Sequence, residues 1–299
     1  MERQWEGRTR GGASGYRFFL WLIRHSGLGA AYAFLSLVVL YFIPSAPRQT
    51  RSSWVYARKV LGLPVLKSVL FLVRSYYSFG QSMIDRFAAG MGMTEKFSYD
   101  FDGHEKALSI TDGNLGCVVI GAHIGSWQMG AGFFRKYGAK VNIVMYDNEY
   151  QSVKDVVRDN TGPDDYNVIP VSENDFSYLI SITSALRNGE LVCLQGDRYM
   201  KDERVLKGEF MGHAAEFPEG PFLLAARMKC PVLFYFAMRE KRRRYRFIFR
   251  TPEQDGGMAL TEEALFSSYL KVLEETVRQY PDQWFNYYDF WKLYSKEDG

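Results

Sequence analysis

Two kinds of apolar pattern divide the chain. Up to about residue 93, hydrophobic residues fall in long runs or at helical spacing. Beyond Gly113 they come in short blocks separated by amphipathic stretches. The longest run is FFLWLIRHSGLGAAYAFLSLVVLYFIP, from Phe18 to Pro44, interrupted by Arg24 and His25. Its second part, Ser26 to Ile43, carries no charge and approaches the ~20 residues needed to cross a hydrocarbon core. No small-residue cleavage site with suitable flanks follows, so a secretory signal peptide fits poorly. The segment is expected to attach the chain to a membrane, spanning it or lying in one leaflet; a buried core helix is the alternative. Basic residues lie on both sides, Arg8, Arg10 and Arg17 before it and Arg48, Arg51, Arg58 and Lys59 after it. They give no orientation by the positive-inside rule, and they suit a helix held on an anionic leaflet.

From residue 53 to residue 93, Val55, Val60, Leu63, Leu66, Val69, Leu70 and Val73 recur at intervals of three and four, the period of a helix. Pro64 marks a kink or boundary in it. After Gly113 the chain alternates. LGCVVIGA, KVNIVMY, YNVIPV and ELVCLQGD read as strands. GSWQMGAGFFRKYG, NEYQSVKDVVRDN and FSYLISITSALRNG read as the helices between them. GPFLLAARMK is a further helix, CPVLFYFAMRE and RYRFIFRTP form a hairpin, and TEEALFSSYLKVLEETVRQYP is an amphipathic helix with Thr261 at its start and Arg278 near its end. The expected fold is α/β, a mostly parallel central sheet flanked by helices, with an N-terminal apolar membrane-associated helix. Residues 1–50 are read as the basic segment and that helix, and residues 51–299 as one α/β domain. There is no internal repeat.

Composition adds little to this. The 299 residues are 47% hydrophobic and 24% charged, which excludes a disordered polymer, and a net charge of +3 is too small for a strong overall field. Aromatic residues, at 16%, suit a large apolar binding surface or a large core. Cys117, Cys193 and Cys230 stand singly in apolar segments without metal-ligand spacing, so they read as buried free thiols and no metal site is expected.

Three stretches carry candidate chemistry. In GAHIGSWQMG, His123 follows a strand, at the carboxyl edge where α/β sheets bind ligands, and an imidazole there can act as a general base. If a helix starts at that point, Gln128 can face the same side as His123. A satisfied polar histidine at a helix start is the plainer alternative. A second strand ends in Gly196, Asp197 and Arg198; these two charges can pair with each other or with a ligand phosphate. Glu219 and Gly220 open a helix soon after. The third stretch, PDQWFNYYDFW, gathers aromatics around Gln283 and Asn286 and reads as structural.

The ordered series GAHIGSW, NEY, GDR, EFMGHAAEFPEGPFLLAARMKCPV and PDQWFNYYDFW, after an apolar N-terminal helix, resembles the lauroyl/myristoyl acyltransferases of late lipid A biosynthesis, relatives of the glycerolipid acyltransferases. The resemblance runs from about Phe18 to Trp291. It implies an acyltransferase domain over residues 51–299 and a place at the bacterial inner membrane, with catalysis facing the cytoplasm. It also implies transfer of a fatty acyl chain from acyl carrier protein or coenzyme A to a glycolipid hydroxyl, with no cofactor beyond that thioester and no nucleic acid. The family's catalytic histidine falls on His123, its next asparagine on Asn148, and its second polar cluster on Asp197 and Arg198. Its signature carboxylate position is occupied here by Gln128.

That departure leaves three outcomes open. Gln128 orients His123 well enough, or another acid (Asp147, Asp197 or Glu219) supplies the charge, or catalysis is lost and the chain binds lipid or carrier protein. An amide can accept a hydrogen bond but cannot stabilise an imidazolium by charge. Backbone amides near Gly196 to Arg198, or at Gly220, are candidate oxyanion donors. The run REKRRRYRFIFR, with Arg242, Arg243 and Arg244, is expected at the hairpin tip and second strand, where it can bind anionic headgroups or an acidic carrier. A lipid A precursor is the default acceptor; another glycolipid or an aryl-polyene-type lipid is the alternative.

Overall fold

The computed structural model describes residues 12–111, 116–130, 134, 140–146, 166–171, 177–200, 203–253 and 260–293. The expected helix at residues 148–160, Asp147 and Asn148 lie outside them. A seven-stranded sheet forms the centre. Its strands are β1 (Ser98–Asp102), β2 (Cys117–Gly121), β3 (Val141–Tyr146), β4 (Asn167–Val171), β5 (Leu191–Gln195), β8 (Val232–Arg239) and β9 (Arg244–Arg250), in the order β1-β9-β8-β2-β5-β3-β4. Every neighbouring pair is parallel except the hairpin β8–β9. The alternation of apolar blocks and helical stretches is therefore realised as a mostly parallel sheet. A separate two-stranded ribbon pairs β6 (Val205–Phe210) with β7 (His213–Pro218).

Strand β8 shows why the sheet is covered on both faces. Its residues alternate between two cores. Phe234, Phe236 and Met238 join one that includes Phe222 of α6 (Gly220–Met228) and Tyr269 and Leu273 of α7 (Glu262–Gln279). Leu233, Tyr235 and Ala237 join the other, with Ile84, Phe87 and Ala88 of α3 (Val65–Gly90). Such near-continuous apolar strands are what a doubly covered parallel sheet requires. The shorter helices are α2 (Pro47–Val55), α4 (His104–Thr111) and α5 (Ser177–Arg187). Thr261 caps α7 by accepting from the Ala264 amide at 3.2 Å. Pro64 is the residue preceding α3, so it is a boundary rather than a kink.

The helical period expected from Leu66, Val69 and Leu70 is realised in α3, where these three are exposed and Phe71, Leu72, Ser75 and Tyr76 are among the buried positions. One expectation changes. The N-terminal helix α1 (Gly12–Ser45) is two helices joined at Gly27, whose φ of 75° and ψ of 177° break the helical path. Phe18 and Phe34 have ring centroids 4.9 Å apart, whereas in an unbroken helix residues 16 positions apart would be separated by about 24 Å along the axis. Residues 12–26 and 28–45 thus form the arms of a hairpin. Leu20, Ile23, Leu28, Ala31, Leu35 and Val39 along both arms pack into the same core as α3 and the sheet.

A buried charge cluster ties this hairpin to the sheet. Asp85 of α3 is fully buried and accepts from Arg239 Nε and from Tyr245 Oη, each at 2.7 Å, and from the Tyr32 hydroxyl. The Arg239 guanidinium also lies 5.4 Å from the Tyr32 ring centre. Burial favours the neutral form of Arg239, but the charge and hydrogen bonds of Asp85 outweigh it and raise the pKa above its usual value.

Candidate active site

Strand register brings the site together. In the parallel pair β2–β5, Gly121 stands opposite Gln195. The Gly196 amide extends the ladder by donating to the Gly121 carbonyl at 2.9 Å. His123 and Asp197 each lie two residues beyond that register pair, and they meet. His123 Nδ1 is 2.8 Å from Asp197 Oδ1, and the His123 backbone amide donates to Asp197 Oδ2 at 3.0 Å. One carboxylate therefore grips both the ring and the backbone of the histidine. Asp197 is fully buried, while the His123 side chain retains 22% exposure, so one member of the pair is shielded and the other reaches solvent.

Burial alone would push the Asp197 carboxyl up. The charge of His123, its hydrogen bonds and the nearby Arg198 more than offset this and hold the carboxyl below its usual value. In the tautomer that donates Nδ1–H to the carboxylate, Nε2 is the nitrogen free to accept a proton.

The acid that supports His123 is thus Asp197, one of the three weighed from sequence. Gln128 is not placed as a helical neighbour. Ile124 and Gly125 form bridges to Trp284 and Ala237, and helical turns start only at Trp127, as a 3₁₀ turn (Trp127–Gly130). The premise that positions five apart share a helix face therefore fails here, and among the described residues no hydrogen bond joins Gln128 to His123. Gly125 has φ 62°, and a Cβ there would lie 2.1 Å from the Ala237 carbonyl oxygen, so the loop needs glycine at that point.

The C-terminal segment holds this loop from the other side. Phe285 donates its amide to the His123 carbonyl at 3.0 Å, and the Gly125 amide donates to the Gln283 carbonyl at 2.9 Å. The Gln283 side chain pairs with the backbone of Arg239 in both directions, accepting from its amide at 2.9 Å and donating to its carbonyl at 2.7 Å. Trp284 is seated among Tyr56, Phe210, Phe290 and Trp291. The aromatic cluster is structural, as read from sequence, but it also straps the histidine loop in place. Only its backbone does so, which no side-chain pattern announces.

Arg198 belongs to the same strap. Its Nε donates to Asn286 Oδ1 at 3.0 Å and its Nη2 to the Phe285 carbonyl at 2.7 Å. The guanidinium fork, expected to meet either Asp197 or a ligand phosphate, is turned onto Asn286 and Phe285. The Gly196 amide, a candidate oxyanion donor, is already taken by Gly121. Glu219 and Gly220 are not brought to His123. Glu219 pairs with Arg204 at 2.8 Å and lies near Glu262, at the start of α7. No hydrogen bond or ion pair among the described residues joins Glu219 to His123 or Asp197.

The basic run forms the β8–β9 tip, a turn over Lys241–Arg243 with Arg242 and Arg243 at φ 58° and 61°. Arg244 is held by Glu240 at 2.6 Å and Asp100 at 3.3 Å. Arg242 and Arg243 have no acidic partner among the described residues. Behind the His123 loop lies a small cavity of about 30 Å³, lined by Val119, Trp127, Phe134, Ile143, Cys193 and Tyr235 among others. Its walls are apolar apart from Gln195 and the Tyr235 hydroxyl.

A comparison with curated proteins finds no match. The family model for bacterial lipid A biosynthesis acyltransferases matches residues 71–293, a span that contains the His123–Asp197 pair, Arg198 and the strap. With most of the chain covered and a histidine–carboxylate pair at the sheet edge, the chain belongs to the bacterial lipid A biosynthesis acyltransferase family and is an acyltransferase.

Proposed function

We propose that the enzyme moves a fatty acyl chain from an acyl thioester, carried by acyl carrier protein or coenzyme A, to a hydroxyl of a lipid A precursor at the cytoplasmic face of the bacterial inner membrane. The 2.8 Å contact between His123 Nδ1 and Asp197 is the observation that carries this reading. Nε2 removes the proton from the acceptor hydroxyl as its oxygen attacks the thioester carbonyl. The imidazolium that forms is stabilised by the Asp197 charge. As the tetrahedral intermediate collapses, the carbon–sulfur bond breaks and the thiolate takes the proton back from His123. Proton and charge balance without a bound cofactor.

Two features support the substrate classes. The apolar cavity wall behind the histidine loop is the surface an acyl chain would meet. Lys241, Arg242 and Arg243 at the hairpin tip offer cationic groups to the phosphates of a lipid A precursor or to an acidic carrier. The test is lipid mass spectrometry on cells that supply the acceptor and express wild type or His123→Ala at equal levels. A lipid heavier by one acyl chain, made by the wild type and absent with the variant, is expected. Identical lipid profiles would overturn the reading.

A further inference from the structure

We propose that the N-terminal hairpin does not cross the membrane but lies flat against the enzyme and docks it onto one leaflet of an anionic bilayer. This deepens the membrane reading above and rests on it. Three observations converge. The first is the hairpin itself. Gly27 breaks the helix, and Phe34 packs on both Phe18 and Phe19, at 4.9 and 5.8 Å. An apolar run of spanning length is thereby folded back on itself.

The second is where its inner face goes. Residues from Leu20 to Val39, along both arms, are buried in the same core as α3 and the sheet. Tyr32 donates to the buried Asp85. Beyond the second arm, Thr50 meets the Tyr76 hydroxyl at 3.1 Å. A spanning arm would have to leave α3 or carry it into the bilayer. The second course would bury Asp85 and Arg86 in hydrocarbon, which is costly.

The third is the outer face. Trp21 (53%), Leu37 (63%), Leu40 (61%) and Tyr41 (69%) of the hairpin are exposed, and so are Leu66 (77%) and Leu70 (54%) of α3. A soluble surface rarely leaves so many large apolar side chains exposed on two neighbouring elements. The α3 stripe has helical spacing, so it is an organised face turned outward. Exposed Arg17, Arg48, Arg58 and Lys67 accompany it. Apolar side chains with accompanying cations are the pattern of a helix lying in the interface of an anionic leaflet. Phe79, around α3 from the Leu66–Leu70 stripe, packs on Phe285 of the strap at 5.2 Å, so the helix that carries the docking face also braces the segment holding the His123 loop.

Side-specific cysteine labelling of the full chain tests this. Gly15→Cys, Ser26→Cys and Ser45→Cys mark the start, the turn and the end of the hairpin. A side chain at position 15 meets no atom within 4 Å. A membrane-impermeant maleimide is applied to spheroplasts and to inside-out vesicles, with the wild type as background for the native cysteines. All three positions are expected to label from the cytoplasmic side and none from outside. Labelling of positions 26 and 45 from opposite faces would show a spanning arm and overturn the flat hairpin while leaving membrane attachment intact. Protection of position 26 from both faces, lifted by detergent, would show a turn buried in the bilayer and equally overturn it. Recovery of an active wild type wholly in the soluble fraction would overturn the membrane reading and the docking face together.

Discussion

His123 and Asp197 are separated by 74 residues and meet at equal distance beyond a register pair of adjacent parallel strands. Two backbone ladders, not a local motif, set the geometry of the dyad. Asp197→Asn keeps the shape and removes the charge. In a serine-protease triad the same kind of change costs about 10⁴ in turnover. A loss of about 10² to 10⁴ in kcat is expected here, a thioester being a more reactive acyl donor than an amide. Gln128→Ala, by contrast, alters a half-buried residue with no hydrogen bond to the dyad. It is expected to stay within about threefold of wild type, as surface changes of about 0.5 kcal/mol do. Steady-state kinetics on the purified enzyme distinguish the two.

Acid should weaken the fold through the same carboxylate. The folded-state pKa of Asp197 lies below the ordinary value of 3.8. The stability it contributes is therefore fully present above that value and is lost as pH falls through the lower, folded pKa. Urea midpoints of wild type and Asp197→Asn are expected to differ at about pH 5 and to converge as pH falls below about 4. A gap that persists undiminished on further acidification would contradict this sign.

Arg198 acts through the strap and is a positioning residue. Lysine has no fork to satisfy both Asn286 Oδ1 and the Phe285 carbonyl. Arg198→Lys should therefore loosen the segment that holds the His123 carbonyl. A fall of about 10- to 100-fold in kcat is expected, because small misplacements of a catalytic group are costly, with KM for the acyl donor nearly unchanged. A rise in KM with kcat intact would assign Arg198 to substrate binding instead.

Asp85 anchors Tyr32, Arg239 and Tyr245 at once. Asp85→Ala leaves a buried guanidinium without its counter-charge and should cost about 3–5 kcal/mol of stability. The double replacement Asp85→Leu with Arg239→Met should recover much of that, since an apolar pair of similar volume pays no desolvation penalty. Chemical denaturation of the wild type, Asp85→Ala and the double variant measures both effects.

Gly125→Ala should be poorly tolerated. The positive φ alone costs about 1–3 kcal/mol for a residue with a side chain, and the added carbon would strike the Ala237 carbonyl oxygen. Activity is expected to fall further than thermal stability, because the displaced backbone is that of the His123 loop.

Much of this architecture was legible from pattern. The apolar blocks LGCVVI and ELVCLQ became neighbouring parallel strands, the run from Cys230 to Pro252 a hairpin, and Thr261 a true cap. His123 was legible because it follows a strand, and Asp197 for the same reason. Their pairing was not, since register between strands distant in sequence leaves no local trace. Gln128 misled because spacing was read as helix where bridges to Trp284 and Ala237 hold the chain extended. Glu219, weighed as a second acid for His123, pairs with Arg204 instead. Leu66 and Leu70 showed the helical period but not their exposure, because periodicity reports that a face is apolar and not what covers it.

The strap has a consequence for the making of the enzyme. The His123 carbonyl is met by the amide of residue 285, and the Gly125 amide by the carbonyl of residue 283. Strands β2 and β5 can pair long before those residues leave the ribosome, since domains assemble as the chain emerges. The catalytic loop is completed only when residues 283–285 have emerged. Synthesis of this late segment, rather than pairing of the two strands, therefore times the onset of activity.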